Sequence, residues 1–186
     1  MDGLGLSINP GFVLLGAFLY FAGGWAAVAA LYSAMLAHEL GHLIVLELIG
    51  TEVRRVRIGA AGAVIELAGE LTRRQDMGVT AAGPIAGLVF SIACICADTP
   101  FFRYAGLISL LATAFNLLPV YPMDGGRLAF LLLSTAVPLR ASETVMRVIG
   151  TLCGICVMIS GIILRSAAAA AAGIWMTVLA NAPGLR

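Results

Sequence analysis

Charged side chains are scarce in this 186-residue chain, and lysine is missing altogether, so that all eleven basic residues are arginines. Charged residues make up 11% of the chain, whereas an average soluble domain has about 25%. Hydrophobic residues reach 61%, and the mean hydropathy is +1.02. A soluble fold of this size could not bury so much apolar surface, so the composition predicts an integral membrane protein. A net charge of +1 provides no basic patch, and we therefore expect no nucleic-acid partner.

The beginning of the chain also lacks the charged segment of a cleavable signal peptide, and its apolar stretch is too long for one. We expect the helices themselves to direct insertion into the lipid bilayer. Long uncharged runs, each near the length of about 20 residues that a spanning helix needs, follow one another along the chain. They predict an all-α polytopic membrane protein of about six transmembrane helices, in a single domain over residues 1–186. The expected helices cover approximately 10–23, 25–48, 77–97, 103–137 with a break near 116–125, 143–164 and 167–181.

The arginines indicate an orientation for this bundle. Five of them lie in the segment 50–76, which the positive-inside rule assigns to the cytoplasm. With that segment inside, six helices place both chain termini in the cytoplasm as well.

The charged segment is more than a linker, because β-branched and apolar residues recur in it on both sides of a Gly-Ala-Ala-Gly turn. The pattern predicts a small membrane-associated β-hairpin over approximately 52–70. Such a hairpin could offer an edge strand, at Val64 and Ile65, to an extended peptide. It could equally be a solvated cytoplasmic hairpin, and the pattern does not choose between the two.

The two histidines of the chain, His38 and His42, are four residues apart in an apolar stretch. On a helix this spacing places both imidazoles on one face, where a zinc ion can bind between them. Glu39 is then close enough to act on a water molecule held by the metal. Since buried histidines and a glutamate are costly in lipid without a metal, the motif predicts a zinc hydrolase with an intramembrane site. His42 is less than two turns from Leu48, so we expect the site nearer the cytoplasmic surface.

A catalytic zinc site usually has three protein ligands and one open position, so a third ligand is needed. Most other carboxylates lie in charged loops or turns or point away from the histidine face. Asp124 instead lies in a segment, 116–127, where two prolines and two glycines interrupt an apolar run. Irregular backbone and an ionisable side chain at membrane depth mark functional sites. We therefore predict Asp124 as the third ligand of one Zn²⁺ per chain.

These motifs together resemble the signatures of a known family. The His38 to His42 motif, the Gly83-Pro84 pair and the Asn116 to Gly126 loop resemble, in order and spacing, the three signatures of site-2 proteases. Site-2 proteases are intramembrane zinc metalloproteases. The short form and the hairpin before Gly83 most resemble the sporulation-type members that process a membrane-associated pro-sigma factor.

The resemblance implies a role for each matching residue. His38, His42 and Asp124 would be the zinc ligands, and Glu39 the general base and acid. Asn116 would lie near the active site, as a contact to the substrate backbone or to the developing oxyanion.

The resemblance further implies a multi-pass protein of a bacterial membrane that cleaves a membrane-associated protein such as a pro-sigma or anti-sigma factor. Gly83, Pro84 and Asn116 are expected to contact this substrate together with the hairpin. Separate regulatory membrane proteins are possible partners, and the oligomeric state is not readable. The sequence departs from the family at Gly87, where asparagine is common, and from its pattern we expect no CBS domain.

Two other function classes remain open from the sequence. A metal-ion transporter would use His38 and His42 as a transport site. A catalytically inactive membrane scaffold would keep the fold for binding alone. No inverted repeat relates the two halves of the chain, and transport gives no role to Glu39.

Overall fold

The computed structural model describes residues 5–59, 62–97 and 99–182. Both chain ends, which the sequence predicts to be cytoplasmic, lie outside these residues, and so does the centre of the predicted hairpin turn. In chain order the elements are β1 (Gly5–Ile8), α1 (Pro10–Leu48), β2 (Val53–Gly59), β3 (Gly62–Leu67), α2 (Arg73–Cys96), α3 (Pro100–Asn116), α4 (Asp124–Leu133), α5 (Leu139–Ile163) and α6 (Ala167–Ala180). They form two compact units, residues 1–114 and 115–186. The mostly helical composition and the small sheet agree with the sequence analysis.

Helix α1 is folded back on itself at Gly24. Its N-terminus is capped by the side chain of Asn9, which accepts a hydrogen bond from the N–H of Gly11. Gly24 adopts φ 68° and ψ −167°, a conformation that favours glycine and interrupts the helix. Phe12 and Tyr32 would be about 30 Å apart in a straight helix, yet their rings stack with centroids 4.4 Å apart. The chain therefore runs as two antiparallel arms, 10–23 and 25–48.

The three strands form one sheet in the order β1-β2-β3. Strand β1 pairs parallel to β2, and β3 pairs antiparallel to β2 with Val56 opposite Ile65. Sequence analysis predicted the β2–β3 hairpin but missed β1. Strand β1 has only four residues and no flanking hairpin turn, and it pairs with a strand about 50 residues away, so no local pattern predicts it. The order leaves β3 at an edge of the sheet.

Helix α2 begins at a capping box, in which the Thr72 side chain accepts from the N–H of Gln75 and the Gln75 side chain returns to the Thr72 N–H. It packs against the second arm of α1 where small residues face each other. A Cβ at Gly41 would overlap the Ala82 carbonyl and lie 2.6 Å from Cβ of Ala86. The crossing therefore requires glycine at position 41.

Helices α2 and α3 are joined by buried hydroxyl groups. Ser91 Oγ donates to the Gly106 carbonyl at 2.8 Å, and Ser109 Oγ donates to the Gly87 carbonyl at 2.9 Å. Hydroxyl-to-carbonyl bonds of this kind satisfy polar groups between helices in lipid. They hold Gly87 close to the C-terminal half of α3.

In the second unit, α5 packs on α6 through glycines. A Cβ at Gly154 would lie 3.0 Å from the Gly173 carbonyl, so the two backbones approach closely. A buried apolar cluster lies beside this contact, formed by Val120, Met123, Met176 and Ala180. Val120 and Met123 belong to the segment between α3 and α4. This cluster therefore anchors that segment to the helices of its unit.

Among the described residues, α1, α2 and α5, with 39, 24 and 25 residues, are long and apolar enough to cross a membrane. Large apolar side chains are exposed along them, including Phe21 and Ile163. Such surface suits contact with lipid. Helices α3, α4 and α6, with 17, 10 and 14 residues, are shorter. The expected count of six transmembrane helices stays a prediction.

Candidate metal centre

The imidazoles of His38 and His42 face each other inside the first unit. Both residues lie in the second arm of α1 and are 8% exposed. Their Nε2 atoms are 3.2 Å apart, and the ring planes meet at 80°. Two nitrogen ligands bound at about 2.0–2.1 Å to a tetrahedral zinc ion lie about 3.3 Å apart. The separation of the two Nε2 atoms therefore fits a shared zinc ion.

The tautomer of His42 is determined by a backbone carbonyl. Nδ1 of His42 lies 2.7 Å from the carbonyl oxygen of Val79 in α2. A carbonyl only accepts hydrogen bonds, so Nδ1 carries the proton and donates. The lone pair of the neutral ring is then on Nε2, which faces His38. This arrangement of a donating nitrogen behind a ligating one is typical of metal-bound histidine.

Gly83 provides the space in front of the two rings. A Cβ at this position would overlap Nε2 of His42 and lie 2.8 Å from Nε2 of His38. Only a residue without a side chain leaves that volume open for a metal ion. Pro84, the next residue, is buried inside α2 and cannot donate the helical hydrogen bond to the Thr80 carbonyl. Both members of the Gly83-Pro84 pair are thus buried.

Glu39 reaches the hairpin. Its Oε1 atom accepts a hydrogen bond of 2.9 Å from the backbone N–H of Ala63 in β3. Beside it, Gly62 has φ 116°, and a Cβ at that residue would lie 3.2 Å from Oε1. Glycine therefore provides both the backbone conformation and the room for the carboxylate.

Thr113 and His38 both have side-chain atoms close to Gly87. A Cβ at Gly87 would meet Oγ1 of Thr113 and lie 3.8 Å from Nδ1 of His38. Thr113 is buried in α3. The Thr113 hydroxyl therefore lies next to the position that the Cβ of an asparagine at residue 87 would occupy, so a polar group is present beside Gly87.

The second unit holds Asp124 and Asn116 at the two ends of one irregular segment. Asn116 is the last residue of α3, and Asp124 is the first residue of α4. Oδ2 of Asp124 is buried. Gly125 and Gly126 allow the segment to fold onto α4, because a Cβ at either would overlap the backbone of Leu117 or Val120.

The chain is similar to several known proteins. Residues 97–160, which include the irregular segment, match the model of Peptidase family M50. Over 150 residues the chain is 27% identical to Stage IV sporulation protein FB of Bacillus subtilis, covering 75% of this chain and 51% of that protein. The chain is thus similar to peptidase family M50. The resemblance to site-2 proteases that the sequence predicts is confirmed.

Two further comparisons are with proteins of Methanocaldococcus jannaschii, one by sequence and one by structure. A zinc metalloprotease of Methanocaldococcus jannaschii is 26% identical over 120 residues, which are 59% of this chain and 35% of that protein. The structure of a site-2 protease from the same organism superposes with a TM-score of 0.76 at 18% identity, covering 100% of this chain and 95% of that one. That likeness concerns the fold. The chain spans about half the length of the Bacillus relative and about a third of the Methanocaldococcus relative.

The structure brings His38, His42 and Gly83 together and joins Glu39 to the hairpin. Val64 is exposed on β3, whereas Ile65 is half-buried. Sequence analysis missed the Val79 carbonyl and the Ala63 N–H, because backbone groups carry no residue-type signal. A buried hydroxyl in an apolar helix was the only signal for Thr113.

Proposed function

We propose that this chain is an intramembrane zinc metalloprotease that hydrolyses a peptide bond within or next to the membrane segment of a membrane-associated protein. The pair of Nε2 atoms 3.2 Å apart, with Gly83 leaving space in front of them, carries this proposal. A histidine pair held this way suits a zinc ligand pair, and the carboxylate between them suits proton transfer.

His38, His42 and Asp124 are the proposed ligands of one Zn²⁺. Two observations support Asp124. Its Oδ2 atom is buried, and it ends an irregular segment that lies within the residues matched by the family model. A buried carboxylate oxygen is costly in an apolar setting unless a hydrogen bond, a charge or a metal compensates it. One carboxylate added to two imidazoles also makes the donor set common in catalytic zinc sites.

The bound zinc ion would supply Lewis-acid chemistry, polarising the scissile carbonyl and lowering the pKa of water. Glu39 takes the proton of the attacking water and then protonates the leaving amine. The Val79 carbonyl keeps the His42 ring in its ligating tautomer throughout. Asn116, at the end of α3, is the proposed donor to the developing oxyanion or to the substrate backbone.

The substrate is proposed to bind as an extended strand. Hydrolysis requires an exposed carbonyl, which a helical segment hides in its own hydrogen bonds, so the substrate must unwind locally. Strand β3 is at the edge of the sheet and next to Glu39. Pairing with Val64 and Ile65 would replace the lost backbone bonds where water is scarce. Gly83 and Pro84 are proposed to border the bound peptide as well, although both side-chain positions are buried.

The finer membrane arrangement also belongs to the proposal. Six passes in a bacterial membrane would place the arginine-rich segment 50–76, both chain ends and the metal nearer the cytoplasm. One relative is named for sporulation, which favours a pro-sigma factor as a substrate; an anti-sigma factor is the second candidate class. Regulatory membrane proteins are the proposed partners that control access.

The substitution Glu39→Gln tests the protease against its alternatives. It should abolish cleavage of a membrane-anchored test protein while the zinc content stays near one per chain. Unimpaired cleavage would overturn the role of Glu39. If the protein is a transporter, Glu39→Gln should still conduct metal ions. If it is a scaffold, the wild type should cleave nothing, and Glu39→Gln should bind its partner as the wild type does.

A further inference from the structure

The register of the hairpin determines which backbone groups of β3 face outward. The Ile58 carbonyl accepts a hydrogen bond of 2.8 Å from Asn9, on the side of β1. In an antiparallel pair the N–H and C=O of one residue point to the same side, so Ile58 turns away from β3. Its partner Ala63 therefore turns away from β2, and so does Ile65 two residues later. Both residues present their N–H and C=O groups at the open edge.

Glu39 already occupies one of these edge positions. Its Oε1 atom lies 2.9 Å from the Ala63 nitrogen, which is the N···O distance of an ordinary strand-to-strand hydrogen bond. The carboxylate oxygen thus lies where the carbonyl oxygen of an added strand would lie. One N–H cannot donate a linear hydrogen bond to both oxygens, so the two acceptors exclude each other.

We propose that the Glu39–Ala63 hydrogen bond is a resting latch that a substrate strand opens when it pairs with the free edge of β3. The carbonyl of the incoming strand takes the Ala63 N–H, and the carboxylate of Glu39 is released toward the histidine pair. This inference rests on the proposed protease function and adds substrate-dependent control to it.

The latch couples unwinding to hydrolysis. A helical segment cannot offer its carbonyl to Ala63, so Glu39 stays bound to the hairpin. An extended segment pairs with Ile65 and Ala63 in turn, and the peptide bond beside Ala63 then lies next to the released carboxylate. The device therefore favours substrates that have already left the helical conformation.

Affinity for a strand-forming peptide tests the competition directly. The probe is a fluorescent 12-residue peptide rich in valine and threonine. Its dissociation constant is measured with the zinc-loaded full chain in detergent. Chromatography verifies that the peptide stays intact. Glu39→Ala frees the Ala63 N–H and should tighten binding roughly fivefold to tenfold, the order expected for removing a competing charged acceptor. Glu47→Ala is the matched control, because it removes an exposed carboxylate from the same arm of α1.

Ala63→Pro closes a double-mutant cycle. Proline is tolerated at outward-facing positions of edge strands, so this change removes the donor without removing a bond to β2. In its background, Glu39→Ala should no longer change the affinity. If Glu39→Ala alone alters binding no more than Glu47→Ala does, the latch is wrong whether or not Ala63→Pro folds.

A kinetic measurement separates this failure from failure of the protease itself. A fluorogenic tetrapeptide is too short to pair along the edge, so the latch should slow its hydrolysis in wild type. Ala63→Pro should raise its kcat roughly fivefold, whereas Glu47→Ala, which removes an exposed carboxylate that does not contact the hairpin edge, should not. An equal or lower kcat in Ala63→Pro would contradict the latch. A wild type that cleaves no peptide would refute the proposed function, and the binding cycle would still decide the latch.

Discussion

The backbone of Gly83 lies against the imidazole of His42 so closely that a methyl group at residue 83 would overlap the ring nitrogen Nε2. The same methyl group would lie 2.8 Å from Nε2 of His38. A glycine in α2 therefore keeps open the volume between two histidines of α1. This contact makes the metal-binding capacity of one helix depend on the absence of a side chain on its neighbour.

Gly83→Ala should therefore weaken zinc binding. The added methyl group competes with the ion for the space in front of both rings, and we expect at least about a tenfold loss of zinc affinity, as for other changes next to metal ligands. Elemental analysis of purified protein measures this. Gly78→Ala, in the same helix with open space around its Cβ position, is the matched control and should keep its zinc. Full zinc occupancy in Gly83→Ala would show that the ion does not bind between the two Nε2 atoms.

Asp124→Ala should lose zinc as His42→Ala does, because two remaining ligands rarely hold a catalytic zinc ion. The measurement is the zinc-to-protein ratio, which should be near one in wild type and fall to about a tenth or less in both variants. Glu143→Ala removes a carboxylate from α5 in the same unit as Asp124 and should change nothing. An unchanged ratio in Asp124→Ala would identify another residue as the third ligand.

Ile65→Pro should impair cleavage of a membrane-anchored substrate while leaving the zinc content unchanged. Its N–H faces the open edge, so proline removes a bond to the substrate strand and none to β2. We expect about a tenfold fall in kcat/KM, the order for one lost backbone hydrogen bond to a bound chain. Ile65→Ala keeps the N–H and serves as the control for lost apolar contact. Equal activities of the proline and alanine variants would argue against strand pairing.

Gly41→Ala should destabilise the first unit. Its Cβ would overlap the Ala82 carbonyl and press on Ala86, and backbone atoms cannot move aside cheaply. Overpacking of this kind costs about 1–3 kcal/mol. Thermal unfolding in detergent, followed by circular dichroism, should show a lower midpoint than wild type. Gly78→Ala, which gains helix propensity without a contact, should not lower it.

Much of the candidate site was predictable because its chemistry resides in side chains with local spacing. His38, Glu39 and His42 lie within one helical turn of each other, so a helix alone brings their side chains to adjacent positions. Asp124 was predicted for a different reason, since a carboxylate among prolines and glycines is unusual in an apolar run. The resemblance to site-2 proteases was likewise predictable from the order of three short motifs, and the comparisons agree.

Long-range pairing was not predictable in the same way. Strand β1 has no local signal, and the sequence, which predicted two helices over 10–23 and 25–48, gave no sign that Phe12 stacks on Tyr32 across the bend between them. Gly83 was expected to contact substrate, but in the structure it lies against the histidine rings. Whether it also borders the peptide stays a prediction.

By itself, the sequence determined that this chain is apolar enough to enter a membrane and that it carries a histidine pair with a glutamate between them, since composition and i, i+4 spacing need no knowledge of tertiary contacts. Only the tertiary structure decided how those residues are held. The Val79 carbonyl selects the tautomer of His42, the bare Cα of Gly83 leaves room for the ion, and the Ala63 N–H restrains Glu39. These are backbone groups contributed by neighbouring elements, and a backbone group has the same chemistry at every position until the fold places it.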